Sequence, residues 1–175
     1  MKVINLYGGA GAGKSTLASA LFSRLRFDNQ VSVELVPEFA KDVVYEGARR
    51  NLGDQFYLLG NQQHRLWRLM KEGVDVAITD SPIGMTIAYA HMGNFPHIEE
   101  LITIVNHLNR QYTNLNVFVN RPGPGNFRKN KQRNADIDMW IKEDVPMHLN
   151  VDFNQQGVDD LYQLTIQWLA KNTKL

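Results

Sequence analysis

The sequence predicts a three-layer α/β fold, in which a parallel β-sheet is covered by helices on both faces. Short apolar runs alternate along the chain with longer segments of helical periodicity, and this alternation is typical of such a sheet. The runs lack regular polar alternation, as expected for strands that are buried on both faces. A glycine-rich segment separates the first run from the first helical segment. These features favour one domain over residues 1–175.

Five apolar runs are the predicted strands. They are Val3–Tyr7, Val31–Val36, Val74–Thr79, Leu115–Asn120 and Leu149–Phe153. Right-handed crossovers between them would place all five carboxyl ends along one edge of the sheet. Open parallel sheets bind their ligands at that edge, so we expect the functional residues to follow the strands directly.

Four segments between and after these runs have the apolar spacing of amphipathic helices. The first carries Leu17, Leu21 and Leu25 at intervals of four, and the others are Phe56–Met70, Ile98–Leu108 and Val158–Leu169. A helix that begins at Pro82 is also compatible with the sequence, because proline is favoured in the first turn.

The composition excludes several classes of protein. The chain has no cysteine, so disulfides, thiolate metal sites and cysteine nucleophiles are absent. Its formal net charge of +1 shows no global attraction to nucleic acid or membranes. No apolar run approaches the ~20 residues that span a bilayer. We expect a cytoplasmic protein without a membrane anchor, as a monomer or a homodimer.

The glycine-rich segment is the most specific motif. Residues 8–15 read Gly-Gly-Ala-Gly-Ala-Gly-Lys-Ser and match G-x-x-x-x-G-K-[ST], between a predicted strand and a predicted helix. In a P-loop of this kind, backbone N–H groups and the positive end of the helix surround a phosphate chain. A glycine turn with a chance lysine is the alternative. We expect ATP to bind Gly9, Ala10, Gly11, Ala12, Gly13, Lys14, Ser15 and Thr16, with Lys14 on the β- and γ-phosphates and Ser15 on Mg²⁺.

Two acidic residues follow predicted strands. Asp80 comes directly after the third run, as a Walker-B aspartate that binds Mg²⁺ would, although Asp80 or Ser81 could instead cap the helix that Pro82 starts. Glu38 follows the second run and is the candidate base for the proton of an acceptor hydroxyl. The alternative for Glu38 is a solvated position in the first turn of a helix.

A basic segment follows the fourth predicted strand and is interpreted as a lid over about residues 121–135. Arg121, Arg128 and Arg133 are the candidates for phosphate contacts, because the guanidinium fork suits phosphate oxygens. We expect Arg121 to bind the nucleotide and Arg128 or Arg133 to act in catalysis. A solvated basic loop, or one that grips DNA phosphates, is the alternative.

The helix Asp54–Met70 is the predicted acceptor site. Gln55 and Gln62 share a face, and Tyr57 and Gln63 lie near it, so Gln62, Gln63 and Tyr57 are the candidate substrate-binding residues. The other interpretation is a polar helix face with aromatic side chains in the core. Four arginines could hold an acceptor phosphate or be solvated: Arg49, Arg50, Arg65 and Arg68.

Together, the glycine loop, the segment Pro37-Glu38-Phe39-Ala40-Lys41, Gln63 and Asp80-Ser81-Pro82 resemble a known group. The chain is similar to the small P-loop kinases related to ribosylnicotinamide kinase domains and to phage-encoded nucleoside or nucleotide kinase-like ATPases. This resemblance implies a five-stranded core of order 2-3-1-4-5, an arginine-bearing lid, ATP with Mg²⁺, and a nucleoside-like acceptor. The Asp-Arg and Glu-Arg-Ser signatures of thymidylate and deoxynucleoside kinases are absent after Asp80.

Several functions are compatible with these features. Ser81 stands where many water-activating ATPases have glutamate, and no N-K-x-D motif is present, so a kinase is favoured over a motor ATPase or a GTPase. The leading prediction is phosphoryl transfer from ATP to a hydroxyl of a nucleoside-like small molecule. The alternatives are a nucleoside monophosphate kinase, a kinase of hydroxymethylated bases in phage DNA, and a nucleotide-binding ATPase or switch module.

Overall fold

The structure is a computed structural model that describes residues 1–121 and 131–172. Five strands form one parallel sheet in the order β2-β3-β1-β4-β5, which confirms the predicted topology. The strands are β1 (Lys2–Tyr7), β2 (Val33–Val36), β3 (Val76–Thr79), β4 (Thr113–Asn120) and β5 (Leu149–Asp152). Each observed strand overlaps a predicted run, with ends that differ by one or two residues.

Seven helices surround the sheet in the described part of the chain. They are α1 (Lys14–Asp28), α2 (Phe39–Tyr45), α3 (Gln55–Lys71), α4 (Met85–Met92), α5 (Ile98–Asn109), α6 (Lys131–Asp144) and α7 (Gln155–Asn172). A short 3-10 helix, Arg49–Gly53, precedes α3. The helical patterns in the sequence correspond to α1, α3, α5 and α7. The helix expected at Pro82 begins instead at Met85, after an irregular turn.

The sheet separates two apolar layers, and β1 contributes to both because its side chains alternate between the faces. Ile4 and Leu6 pack on one face with Leu21 of α1 and Leu161 of α7. On the other face, Val3 packs with residues of α3, α4 and α5, namely Leu66, Ile87, Leu101 and Val105. Burial on both faces explains why the strands read as continuous apolar runs.

The carboxyl ends of three adjacent strands bring the predicted site residues to one edge. The glycine loop follows β1, Glu38 follows β2 after Pro37, and Asp80 follows β3 directly. Since β2, β3 and β1 are adjacent, these three segments are neighbours at the ligand-binding edge. None of the helices in the described ranges has the length and apolarity that crossing a bilayer requires.

Candidate active site

The glycine loop, residues 8–15, forms an open turn between β1 and α1. Gly8, Gly11 and Gly13 have positive φ angles of 134°, 75° and 91°, which side chains other than glycine rarely adopt. A Cβ atom on Gly13 would also lie 2.0 Å from the ring of Phe153. Gly13 caps α1 without a side-chain hydrogen bond, and the first turn of α1 holds no acidic residue. The positive end of α1 is therefore free to bind an anion.

Lys14 lies inside this phosphate-binding loop. Its Nζ donates hydrogen bonds to the carbonyl oxygens of Gly8, at 2.6 Å, and Gly9, at 3.1 Å. Burial lowers the pKa of Lys14, while the carboxylates of Glu38 and Asp80 act in the opposite direction. An ammonium ion held at this point is placed to exchange its carbonyl partners for phosphate oxygens.

Ser15 and Asp80 meet at the start of α1. The Ser15 hydroxyl donates a hydrogen bond to Oδ2 of Asp80, whose side chain is only 6% exposed. Oδ1 of Asp80 is buried and has no hydrogen-bond partner among the described residues. A hydroxyl and a carboxylate with an unsatisfied oxygen are the hard oxygen donors that Mg²⁺ prefers. These two residues fit a magnesium ion that takes its remaining ligands from water and phosphate.

Lys41 supplies a cation to the same place. Its Nζ lies 2.8 Å from the Ser15 hydroxyl oxygen and 3.0 Å from Oδ2 of Asp80. Although burial lowers the pKa of Lys41, the hydrogen bond and the charge of Asp80 raise it above its ordinary value overall. Lys41 had no separate role among the residues predicted from the sequence. Its i,i+3 spacing from Glu38 on a helix was the signal that could have identified it.

Glu38 lies between the phosphate-binding loop and a cavity. It occupies the N-cap position of α2 but makes no side-chain cap hydrogen bond, so its carboxylate is not used to start the helix. Oε2 of Glu38 is 3.7 Å from Nζ of Lys41. Burial raises the pKa of Glu38, and the charges of Lys14 and Lys41 oppose that effect. The carboxylate is thus a better proton acceptor than a solvated glutamate.

Arg121 contacts the phosphate-binding loop from the end of β4. Its Nη1 donates to the Ala10 carbonyl at 2.6 Å, and its Nε and Nη2 lie 3.0 and 2.8 Å from Oδ2 of Asp138. Oδ1 of Asp138 accepts the Gly9 N–H at 2.7 Å. Asp138 was not predicted from the sequence, because it lies on the unpredicted helix α6. The pair holds the first residues of the loop in place.

A cavity of about 770 Å³ adjoins the loop. Ala10, Gly11, Glu38 and Lys41 line it next to the phosphate-binding loop and α2. Apolar side chains from five helical segments form much of the remaining wall: Val44, Leu52, Leu58, Met92 and Ile137, together with Phe95. Its volume is in the range of small-molecule sites, and its mixed lining is typical of them.

Four polar or aromatic residues complete the lining: Tyr45, Gln55, Tyr89 and Arg133. Tyr45 is 82% exposed, whereas burial raises the pKa of Tyr89 to about 12. Arg133, in the first turn of α6, places Nε 3.0 Å from the sulfur of Met92. Arg128 lies outside the described residues, as does most of the predicted lid.

The acceptor role predicted for Gln62 and Gln63 needs correction, because neither lines the cavity. Gln62 is buried and binds backbone groups at the β2–α2 junction, accepting the Phe39 N–H at 2.9 Å. Gln63 donates to the hydroxyl of Tyr112 at 2.8 Å. Tyr57 packs edge-on against Phe39, with the ring centroids 5.4 Å apart, and also lies outside the lining. Only Gln55 of the glutamines considered lines the cavity.

A family model described as an AAA domain matches residues 3–146 of the sequence. The chain belongs to the AAA_28 family. The match contains β1 to β4, the phosphate-binding loop, Glu38 and Asp80, and most of α6. No curated protein matches this AAA_28 chain.

Solved structures share the fold of this AAA_28 protein. The thymidylate kinase from Ehrlichia chaffeensis superposes with a TM-score of 0.62 at 17% identity, covering 96% of this chain and 98% of that one. The NadR protein in complex with NR superposes with a TM-score of 0.63 at 16% identity, covering 99% of this chain. This chain spans 51% of the NadR chain. The similarity identifies the fold as that of P-loop nucleoside and nucleotide kinases.

Proposed function

We propose that this protein is an ATP-dependent phosphotransferase, which moves the γ-phosphoryl group to a hydroxyl of a nucleoside-like acceptor. The observation that carries the proposal is the position of Glu38. Its carboxylate lines the cavity beside Ala10 and Gly11 of the phosphate-binding loop. A base between a triphosphate site and an acceptor cavity is what transfer to a hydroxyl requires.

The chain supplies the remaining groups in defined positions. Lys14 and the amino end of α1 would neutralise and orient the phosphate chain. Ser15 and Asp80 would hold Mg²⁺, which draws charge from the transferring phosphoryl group. Arg133, which lines the same cavity, is the described lid arginine available to contact that group. Glu38 would accept the hydroxyl proton as the new O–P bond forms and the bond to ADP breaks.

A nucleoside monophosphate acceptor is less well supported. An ionised phosphate oxygen needs no base, so Glu38 would have no proton to accept. The four arginines considered for an acceptor phosphate, Arg49, Arg50, Arg65 and Arg68, do not line the cavity. Arg65 is paired with Asp42 and also donates to the Pro37 carbonyl at 3.0 Å.

A DNA kinase and a nucleotide-binding switch have narrower support. Transfer to hydroxymethylated bases in DNA rests on lid cations such as Lys129, which lie outside the described residues. A nucleotide-binding switch or slow ATPase would use the same loop, Ser15 and Asp80, but it would leave the cavity and Glu38 without a role. The cavity therefore favours an enzyme with a small-molecule acceptor.

A transfer assay with γ-labelled ATP tests the proposal. The panel contains nucleosides, ribosylnicotinamide, nucleoside monophosphates and hydroxymethylated DNA, each with Mg²⁺. We expect label on a hydroxyl of a small neutral acceptor in the wild type and none with Lys14→Ala, while the circular dichroism of the variant is unchanged. Label only on monophosphates or DNA, only on released phosphate, or at equal rates in both proteins would contradict the proposal.

A further inference from the structure

The wall of the cavity contains a buried polar atom without a partner. Gln55, the first residue of α3, is 4% exposed and lines the cavity. Its Nε2 donates to the Leu52 carbonyl at 2.9 Å. Its Oε1 is buried and has no hydrogen-bond partner among the described residues. A buried amide oxygen in this state costs roughly 1–3 kcal/mol unless a donor reaches it.

The orientation of the Gln55 amide is determined by its neighbours. Leu52 offers a carbonyl oxygen, which can only accept, so the NH₂ group must point toward it and the amide oxygen must point the other way. The backbone around Gln55 is also held, because the carboxylate of Asp54 accepts the Tyr57 N–H at 3.0 Å and caps α3. The unsatisfied group is thus a fixed hydrogen-bond acceptor.

The surroundings of Gln55 favour a flat, uncharged ligand. Leu52 and Leu58, next to Gln55 in sequence, and Phe95 are apolar lining residues, and Tyr45 presents an exposed ring. The charged residues that line the described cavity are Glu38, Lys41 and Arg133, and none of them belongs to α3 or the 3-10 helix before it. An apolar wall with one fixed acceptor oxygen suits an aromatic heterocycle that carries an N–H group.

We propose that Gln55 is a specificity-determining residue, whose Oε1 accepts a hydrogen bond from an amide, imide or amino N–H on the ring of a neutral acceptor. The inference rests on the proposed function for the position of the transferred phosphate but concerns only how the acceptor is selected. A ring that presents only acceptors or methyl groups to Gln55 would leave Oε1 unsatisfied, and such a ring would bind more weakly.

Isosteric pairs of probes test this in the wild-type protein. Adenosine is compared with 6-methylpurine riboside, and ribosylnicotinamide with 3-acetylpyridine riboside, since each pair replaces an NH₂ group by CH₃ at almost constant shape. Uridine and 3-methyluridine form a third pair. Binding is measured by calorimetry with Mg²⁺ and a non-hydrolysable ATP analogue, and transfer is measured separately. We expect the N–H member of at least one pair to bind roughly 10- to 100-fold more tightly than its partner.

Variants then assign the discrimination to one side chain. Gln55→Leu should reduce the ratio within that pair to a few-fold by weakening the N–H member. Gln63→Leu, on the same helix but outside the cavity, should keep the wild-type ratio. Equal affinity within every pair, an unchanged ratio in Gln55→Leu, or no binding of any neutral probe would overturn the inference.

The same data separate this inference from the proposed function. If Gln55→Leu does not fold, the isosteric pairs in the wild type still decide the question. Selective binding without phosphoryl transfer would retain the role of Gln55 and reject the kinase. Transfer without selection within any pair would retain the kinase and reject the role of Gln55.

Discussion

Replacing Glu38 by glutamine tests the chemistry at its most specific point. The substitution keeps the shape of a side chain that is 25% exposed, and it removes the capacity to accept a proton. Loss of a general base lowers the rate by roughly 10²–10⁴, or about 2.7–5.5 kcal/mol of transition-state stabilisation. We expect kcat for a hydroxyl acceptor to fall by that factor, with KM for ATP changed by less than about threefold.

Folding should not suffer from the same substitution. Burial raises the pKa of Glu38, so the folded state favours the protonated carboxyl, and the ionised form present at neutral pH carries a cost of burial. Glutamine removes that cost, and thermal denaturation should show a Tm equal to or above that of the wild type. A fall in Tm together with kcat would indicate a structural role instead.

The pH profile supplies a second readout. Because the pKa of Glu38 is raised, the wild-type rate should fall as the pH drops through a value above the ordinary glutamate pKa of about 4.3. This acidic limb should disappear in Glu38→Gln. Glu34→Gln, an exposed change on β2, is the matched control and should behave as wild type. A near-normal rate in Glu38→Gln would refute the base role and favour a phosphate acceptor.

Two further predictions concern the loop and the metal site. Gly13→Ala should weaken ATP binding at least tenfold in calorimetry, because a Cβ atom would meet the Phe153 ring at 2.0 Å, whereas Gly73→Ala, with similar positive φ in open space, should bind normally. Equal affinities in the two variants would show that the contact with Phe153 has no effect on the loop. Lys41→Met should bind Mn²⁺ more tightly than the wild type in the absence of nucleotide, as measured by electron paramagnetic resonance, since the ammonium no longer contacts Ser15 and Asp80. Unchanged or weaker Mn²⁺ binding would show that Lys41 does not compete for that position.

The sheet was predictable because its physical signals are local. Strands buried on both faces must be apolar throughout, and the P-loop motif fixes the position of β1 and α1. Asp80 and Glu38 follow strands directly, so adjacency in the sheet brings them together. The order of the strands came from the resemblance and not from the residues themselves.

The unpredicted elements lack such signals. Most of α4 is buried, including Met85, Ile87, Ala88 and Ala90, so no polar face marks its helical period. The helix α6 follows the two Pro-Gly pairs of the lid, which suggested irregular structure. Asp138 and Arg133 could therefore not be assigned to a helix beside the loop.

The glutamines show where residue type alone is insufficient. Gln55 and Gln62 share one face of α3, and both are buried, yet the hydrogen bonds of Gln62 go to the β2–α2 junction. The difference depends on neighbours that are distant in sequence, such as Phe39 and Thr79. Helical periodicity gives the face of a side chain but not its partner.

Titration of the protein with Mg²⁺ and a non-hydrolysable ATP analogue in a calorimeter tests the central claim most directly. The account predicts saturable binding of one nucleotide per chain, and affinity roughly 10- to 100-fold weaker in Lys14→Ala, since that variant loses charge-assisted hydrogen bonds to phosphate. No heat at any nucleotide concentration up to the millimolar range, or equal affinity in Lys14→Ala, would contradict it.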